Sequence, residues 1–134
     1  MSSLAVATYG NKSRFRPGEE VAGKALWILD KEPETVEIRL FWYTEGKGTQ
    51  DIDVVDVMRI ESSETRHEAE FKFTLPGEPY SFSGKLISLL WALEVVVLPS
   101  GETERLNITV SPSGNEIVLR GDETDTSGES QEQS

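Results

Sequence analysis

Residues 71–98 read FKFTLPGEPYSFSGKLISLLWALEVVVL and carry the clearest structural signal in the chain. They predict a strand ending at Leu75, a turn-rich link over Pro76–Gly84 and a longer apolar strand over Leu86–Leu98. The apolar run has thirteen residues, too few to cross a bilayer, which takes ~20. Leu, Ala and Glu also favour a helix, but three consecutive valines followed by Pro99 favour a strand.

This long strand has one face that is apolar without interruption and one that is mixed. The pattern is typical of a central strand in a sandwich, with one fully buried face and one half-buried face. The apolar face consists of Ile87, Leu89, Trp91, Leu93, Val95 and Val97.

The rest of the chain repeats short alternating segments separated by polar turns. Further strands are predicted at 4–10, 20–29, 35–44, 51–60, 66–75, 104–110 and 117–119. A bulge is expected near Val54–Val55, where the alternation slips, and a bulge or close backbone approach at Gly23. Since no segment has a convincing helical period, the sequence predicts an all-β, immunoglobulin-like antiparallel β-sandwich of seven or more strands.

Length and charge indicate one domain with an acidic extension. The 134 residues suffice for a single core, predicted at 1–120. Residues 121–134 contain five acids, no base and no apolar side chain, so we expect an acidic disordered tail. The net charge is −11, and without the tail 13 bases face 19 acids. An acidic body is not attracted to nucleic acid or anionic lipid, so we expect no nucleic-acid partner.

Two features of the chain bear on its compartment. It contains no cysteine, which suits a reducing cytoplasm. Its first ten residues, MSSLAVATYG, lack the basic and apolar regions of a signal peptide, and no segment is long enough to span a membrane. The sequence therefore predicts a cytoplasmic protein without a membrane span.

Two stretches together resemble the N-terminal domain of the arrestin family. Residues 15–23, FRPGEEVAG, match the pattern aromatic-x-Pro-Gly-Glu-x-Val-x-Gly. Residues 71–98 match through Phe-x-Phe-x-Leu-Pro, the link Pro-x-Ser-Phe-x-Gly and the aromatic-bearing strand after it. The resemblance covers roughly Leu4–Val110 and implies an arrestin-like sandwich with a protein-binding role. Arrestins and their sorting and sporulation-control relatives carry two such sandwiches in tandem, whereas this chain has room for one.

Three basic residues form the first candidate site. Lys12, Arg14 and Arg16 occupy alternate positions, so they share a face of an extended segment. One interpretation, implied by the resemblance to the first strands of arrestin-like domains, is that this patch binds an anionic peptide or phosphate. Alternatively, the charges only keep an edge strand from pairing with other molecules.

The residue types needed for metal binding and catalysis are sparse. Asp51, Asp53 and Asp56 offer oxygen ligands for calcium, but no glycine-bearing loop surrounds them, so a solvent-facing acidic edge is the better interpretation. His67 is the only histidine, and with no cysteine it has no companion for a zinc site. We therefore expect no catalytic residue, no metal and no cofactor.

Aromatic residues form the second candidate site. Trp42 and Trp91 follow the inward parity of their strands and are expected in the core. Phe41 and Tyr43 lie on the opposite face of the strand at 35–44 and are predicted to be exposed. Exposed aromatics would mark a surface for a protein or a sugar.

These observations lead to one main hypothesis and one alternative. The main hypothesis is a non-enzymatic adaptor or scaffold domain that binds a protein partner, most easily by strand addition at a sheet edge. The alternative is a β-sandwich module that binds carbohydrate or another small ligand. Apolar residues in excess of one core also predict a homodimer, which the acidic body opposes.

Overall fold

The computed structural model describes residues 2–46, 48, 50–113, 115, 117 and 118. Those residues form ten strands and one short 3₁₀ helix at Tyr9–Asn11. The strands are β1 (Ser3–Thr8), β2 (Arg14–Phe15), β3 (Glu20–Ile28), β4 (Thr35–Gly46), β5 (Ile52–Ile60), β6 (Arg66–Thr74), β7 (Phe82–Ser83), β8 (Ile87–Leu98), β9 (Thr103–Val110) and β10 (Ile117–Val118). The predicted tail at 121–134 lies outside the described residues. Across the described part of the chain, no helix has the length and apolar character needed to cross a bilayer.

The strands form two facing sheets. The small sheet has the order β1-β3-β6, and both of its pairings are antiparallel. The large sheet runs β5-β4-β8, and the far side of β8 pairs with β9 and, near the start of β8, with β7. The long pairings are antiparallel, which confirms the predicted all-β antiparallel sandwich. Two pairings of two residues each, β2 with β9 and β7 with β10, are parallel.

The core lies between the sheets and is built from alternate residues of the long strands. Along β8, the predicted apolar face is buried from Leu89 to Val97, whereas Ile87 at the start of the strand is exposed. Trp91 is fully buried, and its indole N–H donates a hydrogen bond to the carbonyl of Pro79 at 3.0 Å. Trp42 is half-buried against this core. Both tryptophans therefore serve the packing that their parity predicted.

A β-bulge interrupts the pairing of β4 with β5. Leu40 lies opposite Asp56 and Phe41 lies opposite Val54, so Val55 is the extra residue. Val55 packs against the core, while Val54 is exposed. The bulge confirms the slip predicted from the sequence, and it determines which side chains of β5 face outward.

Gly23 allows β1 to approach β3 closely, as predicted. A Cβ atom at this position would lie 2.0 Å from the carbonyl oxygen of Ala7. No side chain fits there without moving the backbone of β1.

We expect Gly23→Ala to destabilise the domain by about 1–3 kcal/mol, because β1 must shift away from β3. Gly77→Ala is the matched control, since a Cβ atom there meets nothing within 4 Å. Urea unfolding of both variants measures the difference. Equal unfolding midpoints for Gly23→Ala and Gly77→Ala would contradict the requirement for glycine at position 23.

We expect Trp91→Ala to lower the free energy of unfolding by ~3–5 kcal/mol, as for other large-to-small aromatic changes in cores. Trp91→Phe, which keeps most of the apolar volume, should lose less. Urea unfolding monitored by circular dichroism measures both. A Trp91→Ala variant of wild-type stability would contradict the core assignment.

Candidate interaction surface

The outer face of the large sheet, meaning the side turned away from the small sheet, carries ordered rows of side chains. Cross-strand pairing aligns residues of β5, β4 and β8 across this face. In order, the rows are Ile52–Tyr43–Leu90, Val54–Phe41–Ala92, Val57–Arg39–Glu94 and Arg59–Glu37–Val96. The first two rows are apolar or aromatic, and the last two are charged at their centre.

Phe41 lies on this face, but the prediction that it is exposed is wrong. Its side chain is only 1% exposed. Because β4 is a central strand, Phe41 has Val54 on one side and Ala92 on the other. The guanidinium of Arg105 then covers the ring, with its central carbon 5.0 Å from the ring centroid. Neighbouring strands therefore bury a residue that parity alone places in solvent.

Tyr43 is half-buried and held by three contacts. Its ring lies 5.7 Å from that of Phe41, and Arg105 stands 4.7 Å from its centroid. Its hydroxyl accepts a hydrogen bond from the side-chain amide of Asn107 at 2.9 Å. Glu94 also lies 3.6 Å from Arg105, which holds the guanidinium over both rings. The tyrosine is thus fixed in place at the surface.

Glu37 is a buried carboxylate at the charged end of the outer face, with 4% of its surface exposed. Its Oε1 lies 2.7 Å from Nη2 of Arg39, and its Oε2 accepts a hydrogen bond of 2.7 Å from Nη2 of Arg59. The hydrogen bond from Arg39, joined by that from Arg59, lowers the pKa of Glu37 in spite of the opposing effect of burial. The network ties β4 to β5 across this face.

Three exposed apolar residues of β5, which we call the apolar strip, complete the outer face. Ile52 is 65% exposed, Val54 44% and Val57 41%. They lie side by side at the edge of the large sheet, since β5 pairs with β4 alone among the described strands. Adjacent exposed apolar side chains of this kind mark interaction surfaces.

The three predicted basic residues lie around one open groove at the start of β2. Lys12 pairs with Glu19, whose carboxylate also accepts a hydrogen bond of 2.8 Å from the backbone N–H of Arg16. These two hydrogen bonds, that from Lys12 first, lower the pKa of Glu19. Within the described residues, no carboxylate lies at ion-pair distance from Arg14 or from the guanidinium of Arg16. Anion binding at this groove stays a prediction.

The aspartates of β5 and the single histidine have local roles. In the described ranges, no three side chains of the metal-binding types are grouped to hold an ion. Asp56 accepts a hydrogen bond of 2.9 Å from the backbone N–H of Val57. His67 lies at the core margin, with Nδ1 at 2.7 Å from Glu64 and its ring 5.1 Å from that of Trp27.

Most of the contacts on the outer face could not be predicted from the sequence. One signal was available, since Glu37 and Arg39 are two residues apart and so share a face of one strand. Arg59 and Arg105 carry no such signal, because their positions depend on the register of other strands. The apolar strip was hidden by the bulge, which breaks the alternation of β5.

Comparison with known proteins identifies the fold. No family model matches the chain, and no curated protein matches it. Among solved structures it is similar to Spo0M, a sporulation control protein from Bacillus subtilis, with a TM-score of 0.55 and 18% identity. The match covers 82% of this chain and 49% of Spo0M, so the chain spans about half of that protein's length. This likeness shows an arrestin-like β-sandwich fold.

A weaker likeness joins the chain to a β-glucosidase from Listeria innocua. The TM-score is 0.47 at 12% identity, and the match covers 87% of this chain and 16% of the enzyme. A likeness of this strength does not bear on function.

We expect Glu37→Gln to lower the free energy of unfolding by about 1–3 kcal/mol near pH 7, because two arginines lose their shared counter-charge. The folded pKa of Glu37 lies below its ordinary value of 4.5. Its carboxylate therefore stabilises the fold above pH 4.5, and this contribution is lost as the pH falls through the folded pKa.

Urea unfolding of the wild type and of Glu37→Gln at several pH values measures this contribution. The difference between the two should be full at neutral pH and shrink below pH 4.5. Glu45→Gln, at an exposed position of the same strand, is the control. A difference that stays constant down to about pH 3 would contradict the role of the carboxylate charge.

Proposed function

We propose that this domain is a non-enzymatic protein-interaction module of the adaptor or scaffold type, which binds a protein partner through the outer face of its large sheet. The observation that carries the proposal is the apolar strip, Ile52, Val54 and Val57, exposed beside a fixed aromatic–arginine cluster. A cytoplasmic setting belongs to the proposal because a chain without cysteine suits a reducing compartment.

The composition of the outer face supports this role. Protein interfaces are enriched in tyrosine and arginine, and these residues often supply most of the binding energy. Tyr43 and Arg59 lie beside the apolar strip, and Arg105 covers the ring of Tyr43. All three are held by neighbours before any partner arrives. Such prior order lowers the entropy lost on binding. The fold itself hosts many functions, so the proposal rests on the face and not on the likeness to Spo0M.

The carbohydrate-binding alternative has less support. Sugars stack on open aromatic ring faces, but Phe41 is buried and Arg105 stands over both Phe41 and Tyr43. Opening these rings would break the contact of Arg105 with Glu94 as well. The outer face therefore favours a protein over a sugar.

Self-association through a sheet edge or an apolar face stays a prediction from the sequence. A twofold pairing of two β5 strands would bring Asp51, Asp53 and Asp56 of both copies to one interface, and like charges there oppose association. The proposal therefore takes a different protein as partner. Light scattering at micromolar concentration measures the oligomeric state, and a stable dimer that Val57→Glu dissociates would assign the strip to a second copy.

Affinity capture with two matched variants tests the proposal in lysate from the cells that express the protein. Val57→Glu places a charge in the apolar strip, whereas Ala5→Glu places one on the exposed outer side of β1 in the small sheet. We expect the wild type and Ala5→Glu to retain the same partner and Val57→Glu to lose it by about tenfold or more. Equal capture by all three proteins would contradict the use of this face.

A further inference from the structure

One edge of the large sheet is open along β5. This strand spans Ile52–Ile60 and pairs with β4 on one side, while no described strand pairs with its other side. The bulge at Val55 divides β5, so the regular part before it, together with the preceding residue, is Asp51–Val54. An edge of this kind is a template for a further strand.

The hydrogen bonding of β5 shows which backbone groups are free at this edge. The backbone N–H of Thr44 donates to the carbonyl of Asp51 at 2.9 Å. In an antiparallel pair, alternate residues direct both backbone groups toward the partner strand. The backbone N–H and C=O groups of Asp51 and Asp53 therefore point toward β4, whereas those of Ile52 and Val54 point to the open edge.

The side chains of the same four residues divide by type. Ile52 and Val54 lie on the outer face with the apolar strip, and Asp51 and Asp53 alternate with them and so project to the other side. All four residues are exposed. In the described part of the chain, neither aspartate has a cation at ion-pair distance. The edge thus presents apolar groups on one face and unpaired negative charge on the other.

We propose that Asp51–Val54 accepts an extended segment of the partner protein as an added antiparallel strand, and that this segment alternates β-branched and basic residues. The inference rests on the proposed function and names the partner's chemistry. β-Branched side chains of the segment pack beside Ile52 and Val54, and its lysines or arginines pair with Asp51 and Asp53. Its backbone completes the hydrogen bonds of the free edge.

Charge makes this edge selective. Natural sheet edges avoid unwanted pairing by carrying charges, bulges or proline. Here the aspartates repel a second copy of β5 and other acidic strands, including those of a chain with net charge −11. The same charges attract a basic strand, so an edge protected against self-pairing stays open to one class of partner.

Synthetic peptides of roughly eight residues, a usual strand length, test the proposal on the full chain. The probe alternates lysine and valine. One control alternates glutamate and valine, and a second has the lysine–valine composition with all lysines first. Backbone NMR of the isotope-labelled protein reports the site of binding and the exchange rates of the Ile52 and Val54 amides.

We expect the alternating lysine–valine peptide to slow exchange of the Ile52 and Val54 amides and to bind at least about tenfold more tightly than either control. The double variant Asp51→Asn, Asp53→Asn should weaken binding and its dependence on salt while leaving the fold intact. Ile52→Pro should abolish binding, because it removes an outward N–H at the first residue of β5, where an edge strand tolerates proline.

Three results would overturn the proposal. They are binding of the glutamate peptide as tightly as the lysine peptide, perturbation of another strand in place of β5, and no binding of any peptide. If no peptide binds while Val57→Glu still abolishes capture of the partner, strand addition is wrong and the proposed use of the outer face stands. If the lysine–valine peptide binds β5 but Val57→Glu has no effect on capture, strand addition at the open edge is supported and the proposed use of the outer face is wrong.

Discussion

The antiparallel pairing of β4 with β8 is the interaction on which the rest of the structure depends. The two strands pair from Thr35 with Leu98 to Gly46 with Ile87, at the centre of the large sheet. Because side chains alternate between faces, this one register sets two surfaces at once. It places Trp91 in the core between the sheets and Phe41 and Glu37 on the outer face. A slip of one residue would exchange the two surfaces.

The central position of β4 buries two of its side chains on the outer face of the large sheet. Phe41 and Glu37 are buried although, among the described residues, no second layer of structure covers them, so side chains of the same sheet do so. Arg105 covers the aromatic ring, and Arg39 and Arg59 neutralise the carboxylate. Arginine suits this task because its apolar stem packs on the sheet while its charged end stays near water. The result is a firm platform beside the exposed strip of β5.

Local patterns in the sequence were enough to predict the long strands, the close approach at Gly23 and the bulge near Val55, because each depends on residues close together in the chain. The two-residue strands β2 and β7 were not predicted. Local patterns also predicted the burial of Trp91. Exposure on the outer face depends instead on which strands lie on either side and on Arg105, far along the chain. For this reason parity placed Phe41 in solvent, and the bulge hid the outward direction of Val54 and Val57. The burial of a face with few polar residues can be predicted from the sequence. The burial of a face that arginines cover can be predicted only when the register of the strands is known.

Site-specific photo-crosslinking in the cells that express the protein tests the central claim most directly, namely that the outer face of the large sheet is the binding surface. A photoreactive amino acid replaces Val57 on that face in one protein and Ala5 on the small sheet in another, and both positions are exposed. The account predicts a discrete adduct with another protein from position 57 and none from position 5. Adducts from position 5 alone would contradict it.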